Sequence, residues 1–473
     1  MDNRFLEPSI ALLLLAVFSL VWLVLGWWLG RANKTLDDYM LAGRKVGFAL
    51  ATATAMATWV TSNTTMAAPQ LAYQLGVWGM IGYSLGAIGL ILFAPLASRI
   101  KRLLPHGYTS GDFIRLRYGV VAWRIFLMIS LIYAFGWLIS LGMAGGVLVN
   151  ALSGLDYQVG MTVILAVCVG YTLMGGLRAV IATDFIQCLI IIFGLLALAW
   201  IVITQVGFEQ VHVTLSEERP ALLNLLFPAA IMFLFNNLFF GVGEIFHSNV
   251  WWSRAFAFKE GVGGKAYFIA GLMWLPIPIV AGFVALAAPA LDIAVPAADM
   301  VGPMVAGKLL GTIGAVIVFI VVFSALASSL DSLLAATADL ITEDIYRGHI
   351  NPKAGEQQTQ RASKMIIVGL GVFAWLLCLP KITTLASLLY FMGAFVASAI
   401  WPIVLGLYYG RTNGLTAGLA MLLGTACGLW AYFAIGFYVA ALVASAVSLA
   451  VMLIGTLTAD AKFKFSDIQA GRD

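Results

Sequence analysis

The sequence predicts an all-α polytopic membrane protein, and three observations carry that prediction. Its 473 residues are 62% hydrophobic and only 10% charged, with mean hydropathy +0.99, whereas soluble domains carry about 25% charged residues. Apolar runs long enough to cross a bilayer recur along the whole chain, separated by short polar loops. The basic residues are confined almost entirely to alternate loops, as the positive-inside rule requires.

Thirteen spans follow in order. The first, 9–30, has a leading flank of Asp2, Arg4 and Glu7 rather than a basic one, and Arg31 and Lys34 come after it. It reads as a retained helix with its N-terminus outside, not as a signal peptide. The second, 48–74, is rich in Thr. Apolar runs at 77–98, 121–149, 157–174, 179–206, 221–246 and 266–290 give the next six. The ninth, 306–341, carries an acid among serines, and 362–380, 383–409, 414–433 and 436–457 complete the set. The loops at 31–47, 99–120, 175–178, 247–265, 342–361 and 410–413 then lie inside, with the C-terminal tail. That side holds 22 of the 26 Lys and Arg, and only Arg4, Arg219, Lys308 and Lys381 fall outside. The basic 99–120 segment is expected to lie along the inner headgroup surface. After residue 459 only a short polar stretch remains, so no soluble catalytic or signalling domain is expected there. The net charge of +4 is dispersed over short loops and does not suggest nucleic acid. Cys168, Cys188, Cys378 and Cys427 all fall in apolar segments and read as packing residues.

Four spans hold polar residues where lipid would favour none. An Asp at a helix centre costs about 2.5–3.5 kcal/mol on insertion scales, so each needs a partner, water or a bound cation. The second span, "ATATAMATWVTSNTTMAAPQLAY", has six Thr, one Ser and one Asn between residues 51 and 70. The sixth carries Asp184, which suits either a cation or a neighbouring helix. The seventh reads "LFNNLFFGVGEIFHSNVWW". There Asn236 and Asn237 beside Gly241 and Gly243 suggest either an interrupted helix or interhelical hydrogen bonds, and Glu244 suggests a gate or an ion pair. In the ninth, Ala325, Ser328, Ser329 and Ser332 share one face, with Asp331 three residues after Ser328. Hydroxyl, carboxylate and carbonyl oxygens together suit a hard cation, although single Ser or Thr residues often bond only their own helix. Asp339, near the inner end, reads as a solvated or capping residue.

Three segments in order resemble the solute:sodium symporter family: "KTLDDYMLAGRKV" (34–46), "GGLRAVIATDFIQ" (175–187) and "ALASSLDSLLAATADLITEDIYR" (325–347). Within it, "GEIFHSNVWWSRAFAF" (243–258) and "YQLGVWGMIGYSLGA" (73–87) look closest to the urea and polyamine permease branch. The resemblance implies the leucine-transporter fold, with two inverted five-helix repeats whose first helices are discontinuous at the binding site. The corresponding organisation is an extra helix and inner loop at 1–47 and a first repeat at 48–206. An outer loop at 207–220, a second repeat at 221–409, and two further helices with an inner tail at 410–473 follow. It also implies a sodium site formed by the carbonyls of Ala57, Val60 and Ala325 and the hydroxyls of Ser328 and Ser329. A second cation would use Asp184 with Ser328, Asp331 and Ser332, and with two carboxylates close together a proton is the alternative.

The expected function is therefore sodium-coupled import of a small polar solute by alternating access, in the inner membrane of a bacterium, with lipid as the other partner. Trp59, Thr61, Asn63, Asn236 and Asn237 are the candidate substrate residues, an aromatic wall with amides and hydroxyls that suits a neutral solute such as urea. No basic residue is expected at mid-membrane. Symport of another solute, such as an amino acid, sugar, carboxylate or vitamin, with sodium or a proton, is the alternative, and a passive channel and a transporter-derived sensor are the rivals from other classes. An intramembrane enzyme is disfavoured because His106, His212, His247 and His349 all map to loops or span ends.

Overall fold

The computed structural model describes residues 5–31, 33–381, 383–458 and 463–470; Asp2, Arg4, Lys462 and Arg472 lie outside the described residues. Among those described there is no strand, and helices follow one another almost without interruption. Helix α1 (Pro8–Gly30) starts on a proline, whose missing N–H costs nothing there, and its Leu13, Leu20 and Trp28 face outward as lipid-contacting residues do. The loop after it holds the short α2 (Leu36–Leu41), fixed by a reciprocal Thr35–Asp38 capping box. Then come α3 (Phe48–Trp59), α4 (Ala68–Leu75), α5 (Val77–Ser84), α6 (Ala87–Leu103), α7 (Ser110–Ser153), α8 (Tyr157–Gln205) and the short α9 (Phe208–Glu218). The second half runs through α10 (Pro228–His247), α11 (Asn249–Ala257), α12 (Gly263–Trp274), α13 (Pro276–Leu286), α14 (Val301–Leu340), α15 (Glu356–Cys378), α16 (Leu385–Ser398), α17 (Ile400–Tyr408), α18 (Gly414–Ala434) and α19 (Ala440–Thr458).

Eleven described helices are long and apolar enough to cross a membrane, two fewer than the thirteen spans expected. The difference arises at two places. In α8 the 49-residue run turns at Gly176, whose φ of 56° is open to glycine at little cost, so one run contains both expected spans. In the second span the helix breaks after Trp59, and neither fragment reaches spanning length. The 99–120 segment is also not a free surface helix. Its last turns begin α7, and the buried Arg117 donates to the carbonyls of Gly406, Tyr409 and Thr412, tying the start of α7 to the end of α17. Asp339, expected to be a solvated or capping residue, is buried and not solvated.

The break in the second span has a local cause. Val60 leaves the helix (φ −82°, ψ 82°), and the next turn is restarted by two threonines that cap each other. Thr61 Oγ1 accepts from Thr64 N, and Thr64 Oγ1 from Thr61 N, both at 3.2 Å. The carbonyl of Trp59, orphaned by the break, takes the Thr64 hydroxyl at 3.1 Å and the Trp274 indole N–H at 2.7 Å. The Trp59 carbonyl is thus satisfied inside the bundle rather than left to lipid.

The seventh span behaves differently from expectation. Helix α10 runs unbroken through Asn236, Asn237, Gly241 and Gly243, and the interruption comes at Ser248 (φ −70°, ψ 131°). The glycines serve close approach instead. A Cβ on Gly241 would lie 2.6 Å from the Cα of Gly86, which precedes α6, and one on Gly243 would lie 2.6 Å from the Val396 carbonyl oxygen of α16. Beyond Ser248, α11 is buried along its whole length, although 247–265 reads from sequence as an inner loop. Its burial is possible because its polar groups are paired. Asn249 bridges Ser110 N (2.9 Å) and the Ala336 carbonyl (2.8 Å), and Trp252 Nε1 donates to the Phe246 carbonyl at the end of α10 (2.6 Å).

Candidate functional site

The polar residues of α3, α8, α11 and α14 meet in one fully buried cluster. Ser329 Oγ donates to the Thr58 carbonyl at 3.1 Å and to its own-helix Ala325 carbonyl at 3.0 Å. That joins α14 to the last turn of α3, one residue from Ala57 and two from Val60. Ser328 Oγ donates to Asp184 Oδ1, and Thr54 Oγ1 donates to Asp184 Oδ2 at 2.5 Å. Thr58 Oγ1 lies 3.3 Å from both Asp184 Oδ2 and Ser332 Oγ. Asp331 stands apart: its Oδ2 accepts the Tyr171 hydroxyl at 2.5 Å, while Oδ1 has no hydrogen-bond partner. The structure thus gathers Ala57, Ala325, Ser328, Ser329, Asp184 and Ser332 around the break next to Val60.

The largest surprise is Arg254 on α11. Its side chain has no exposed surface, and its Nη2 lies 3.2 Å from Asp184 Oδ2. The sequence suggested no basic residue at mid-membrane; the structure buries Arg254 inside the bundle against Asp184. Arg254 follows two buried tryptophans inside "NVWWSRAFAF", and a single charge in so apolar a run was the available signal. Thr54 and Thr58, spaced four apart on one face of α3, were visible as polar residues but not as partners of Asp184.

On the other side of the break lies a narrow cavity lined by Trp59, Thr61, Asn63, Tyr83, Tyr133 and Asn237 together with further apolar residues, and by no charged side chain. Trp59 packs edge-on to Trp251 and beside Trp274, each at 5.6 Å, yet its Nε1 has no partner. The Asn63 Oδ1 accepts the Ser140 hydroxyl at 2.9 Å, and its Nδ2 is likewise unpaired. Two buried N–H donors thus border the cavity without acceptors. Asn237 lines it but is already spent: it donates to the carbonyls of Gly82 (2.7 Å) and Tyr83 (3.0 Å) and accepts from the Tyr390 hydroxyl. Asn236 does not line it. Its Oδ1 accepts Ala441 N at 2.8 Å and Leu442 N at 3.3 Å, capping the start of α19. Its place among the candidate substrate residues is corrected accordingly. Glu244 is buried and accepts from the Trp251 indole (3.0 and 3.1 Å); the ion pair expected for it is not found among the described residues.

The chain is 28% identical over 436 residues to the rice (Oryza sativa subsp. japonica) urea-proton symporter DUR3, covering 84% of this chain but only 60% of that relative's length. It is 27% identical over 443 residues to the osmoregulated proline transporter OpuE of Bacillus subtilis, covering 87% and 86% of the two chains. A Na+-coupled sialic acid symporter solved in a substrate-bound, outward-open state superposes with a TM-score of 0.80 over 96% of this chain and 99% of its own, at 20% identity. That likeness establishes the fold, which is of the leucine-transporter type. The profile of the sodium:solute symporter family matches residues 39–424. With a broken second span, a polar cluster at that break and a match across most of its length, the chain belongs to the sodium:solute symporter family, whose members are membrane transporters and not enzymes.

Proposed function

We propose that the protein imports a small, neutral, urea-like solute by alternating access, coupled to sodium that binds at the break in the second span. The observation that carries the substrate reading is the cavity itself: it has no charged lining residue, and it presents two unpaired buried donors, Trp59 Nε1 and Asn63 Nδ2. A buried donor without a partner costs about 1–3 kcal/mol, and a carbonyl-bearing solute offers the missing acceptor. The urea transporter among the relatives supports this reading. Sodium would be held by the carbonyls of Ala57, Val60 and Ala325 with the hydroxyls of Ser328 and Ser329. The first two belong to one repeat (48–206) and the others to the second (221–409), so the ion ties the repeats together and favours the state that accepts substrate. One sodium moving inward across 100 mV supplies about 2.3 kcal/mol, roughly a fifty-fold concentration ratio for a neutral solute. The membrane is a bacterial inner membrane, with the N-terminus outside and the C-terminus in the cytoplasm.

A proton is the competing coupling ion. The rice relative is by name a urea-proton symporter, and Asp331, buried with one free oxygen, is the acid that would carry it. Uptake of labelled urea and proline into proteoliposomes decides between these readings. Accumulation driven by a sodium gradient at constant pH supports the proposal. Accumulation driven only by a pH gradient transfers the coupling to a proton, and equilibration without accumulation would mean a passive channel.

A further inference from the structure

Two of the four residues expected to take a second cation, Asp184 and Ser332, are already held by a side chain of the protein. The Arg254 guanidinium donates from Nε to Thr54 Oγ1 at 3.0 Å. From Nη2 it reaches Ser332 Oγ at 2.6 Å, Thr58 Oγ1 at 2.7 Å and Asp184 Oδ2 at 3.2 Å, and Nη1 donates to the Val250 carbonyl at 3.1 Å. Arg254, Asp184, Ser332, Thr54 and Thr58 are all fully buried. A guanidinium keeps its charge in any protein environment, and inside a bundle that charge acts through a low dielectric. A mobile cation on the same carboxylate and hydroxyls would sit within contact distance of a fixed one.

We propose that Arg254 is a tethered cation standing permanently in the place of a second sodium, so that the transporter binds one external cation per cycle. The inference rests on the sodium reading above for the identity of the remaining ion, but not for the role of Arg254. The guanidinium neutralises Asp184 and orders Ser332 and Thr58, which are the tasks a second sodium would perform. Because it arrives on α11, just after the interruption at Ser248, it also fixes that half-helix against α3 and α14 by electrostatics rather than by a soluble ligand. Without Arg254, the site would keep a carboxylate and three hydroxyls lining a gap of guanidinium size. That donor set suits sodium.

The test is equilibrium binding of 22Na+ to the purified full-length protein, compared between wild type, Arg254→Ala and Arg254→Lys. Arg254→Ala is expected to bind one more sodium per chain than wild type, and the Hill coefficient for stabilisation by sodium should rise from about one towards two. Arg254→Lys retains a tethered charge and should bind as wild type does, and adding Asp184→Asn to Arg254→Ala should abolish the additional ion. Equal stoichiometry in wild type and Arg254→Ala overturns the proposal. If Arg254→Ala is recovered folded in sodium chloride but not in choline chloride, the rescue supports it; equal loss in both salts overturns it. Zero sodium in wild type with one in Arg254→Ala would remove the sodium site at the helix break and leave the tethered cation standing. One in each does the reverse.

Discussion

Ser329→Ala removes one hydroxyl from the proposed sodium site without touching the Asp184 cluster, which makes it the sharper of the two serine substitutions. In the structure Ser329 Oγ has only backbone partners, the carbonyls of Thr58 and Ala325. Deleting it strands no buried charge, and alanine favours the helix. Sodium, in contrast, loses one of five ligands in a site closed to water. Leaving a charged group one partner short costs about 1–3 kcal/mol, which raises the sodium concentration for half-maximal transport by roughly 5- to 150-fold. Ser328→Ala should give a shift of similar size together with lower thermal stability, because Ser328 also serves Asp184. Asp184 would still keep Thr54, Thr58 and Arg254 on its other oxygen. Ser324→Ala is the control: that serine is buried on the same helix with an unpaired hydroxyl and should change nothing. The assay is sodium-dependent uptake in proteoliposomes alongside 22Na+ binding to the same preparations. Shifts below about twofold in both ligand variants, within the ~0.5 kcal/mol scatter of neutral substitutions, would refute the ligand assignment.

Trp59→Phe keeps the ring contacts but loses the indole donor. It should raise KM for a urea-like solute by roughly 2- to 12-fold, the ~0.5–1.5 kcal/mol of one hydrogen bond, with sodium binding unchanged; an unaltered KM removes Trp59 from the site. Asn236→Ala should lower the melting temperature through loss of a helix cap worth about 1 kcal/mol and leave KM untouched, whereas altered substrate selectivity would return Asn236 to the cavity. Single cysteines at the exposed positions Val213 and Ala294, in a background lacking the natural four, should react with an impermeant reagent from outside. Those at Glu260 and Lys353, also exposed, should react only after permeabilisation, and the opposite pattern would reverse the topology.

What the sequence determined by itself was whatever depends on local chemistry. Insertion into lipid is a property of each apolar run, so the class of protein was legible from composition and run length. The break after Trp59 was within reach for the same reason: Thr61 and Thr64 restart the helix by capping each other across three residues. The polar face of Ser328, Ser329 and Ser332 was likewise readable from helical period alone. What only the tertiary structure decided was which partner each polar residue found. Adjacent Asn236 and Asn237 look equivalent in sequence, yet one caps α19 while the other spans α5 and α16. Gly241 and Gly243, which suggest a hinge locally, admit neighbouring backbones instead. Arg254 is the clearest case. A lone arginine at the end of an apolar run signals an inner loop unless its charge is met elsewhere, and here Asp184, seventy residues away in the chain, meets it. Burial of a charge is set by that distant partner, because the cost of desolvation is local and the compensation for it is not.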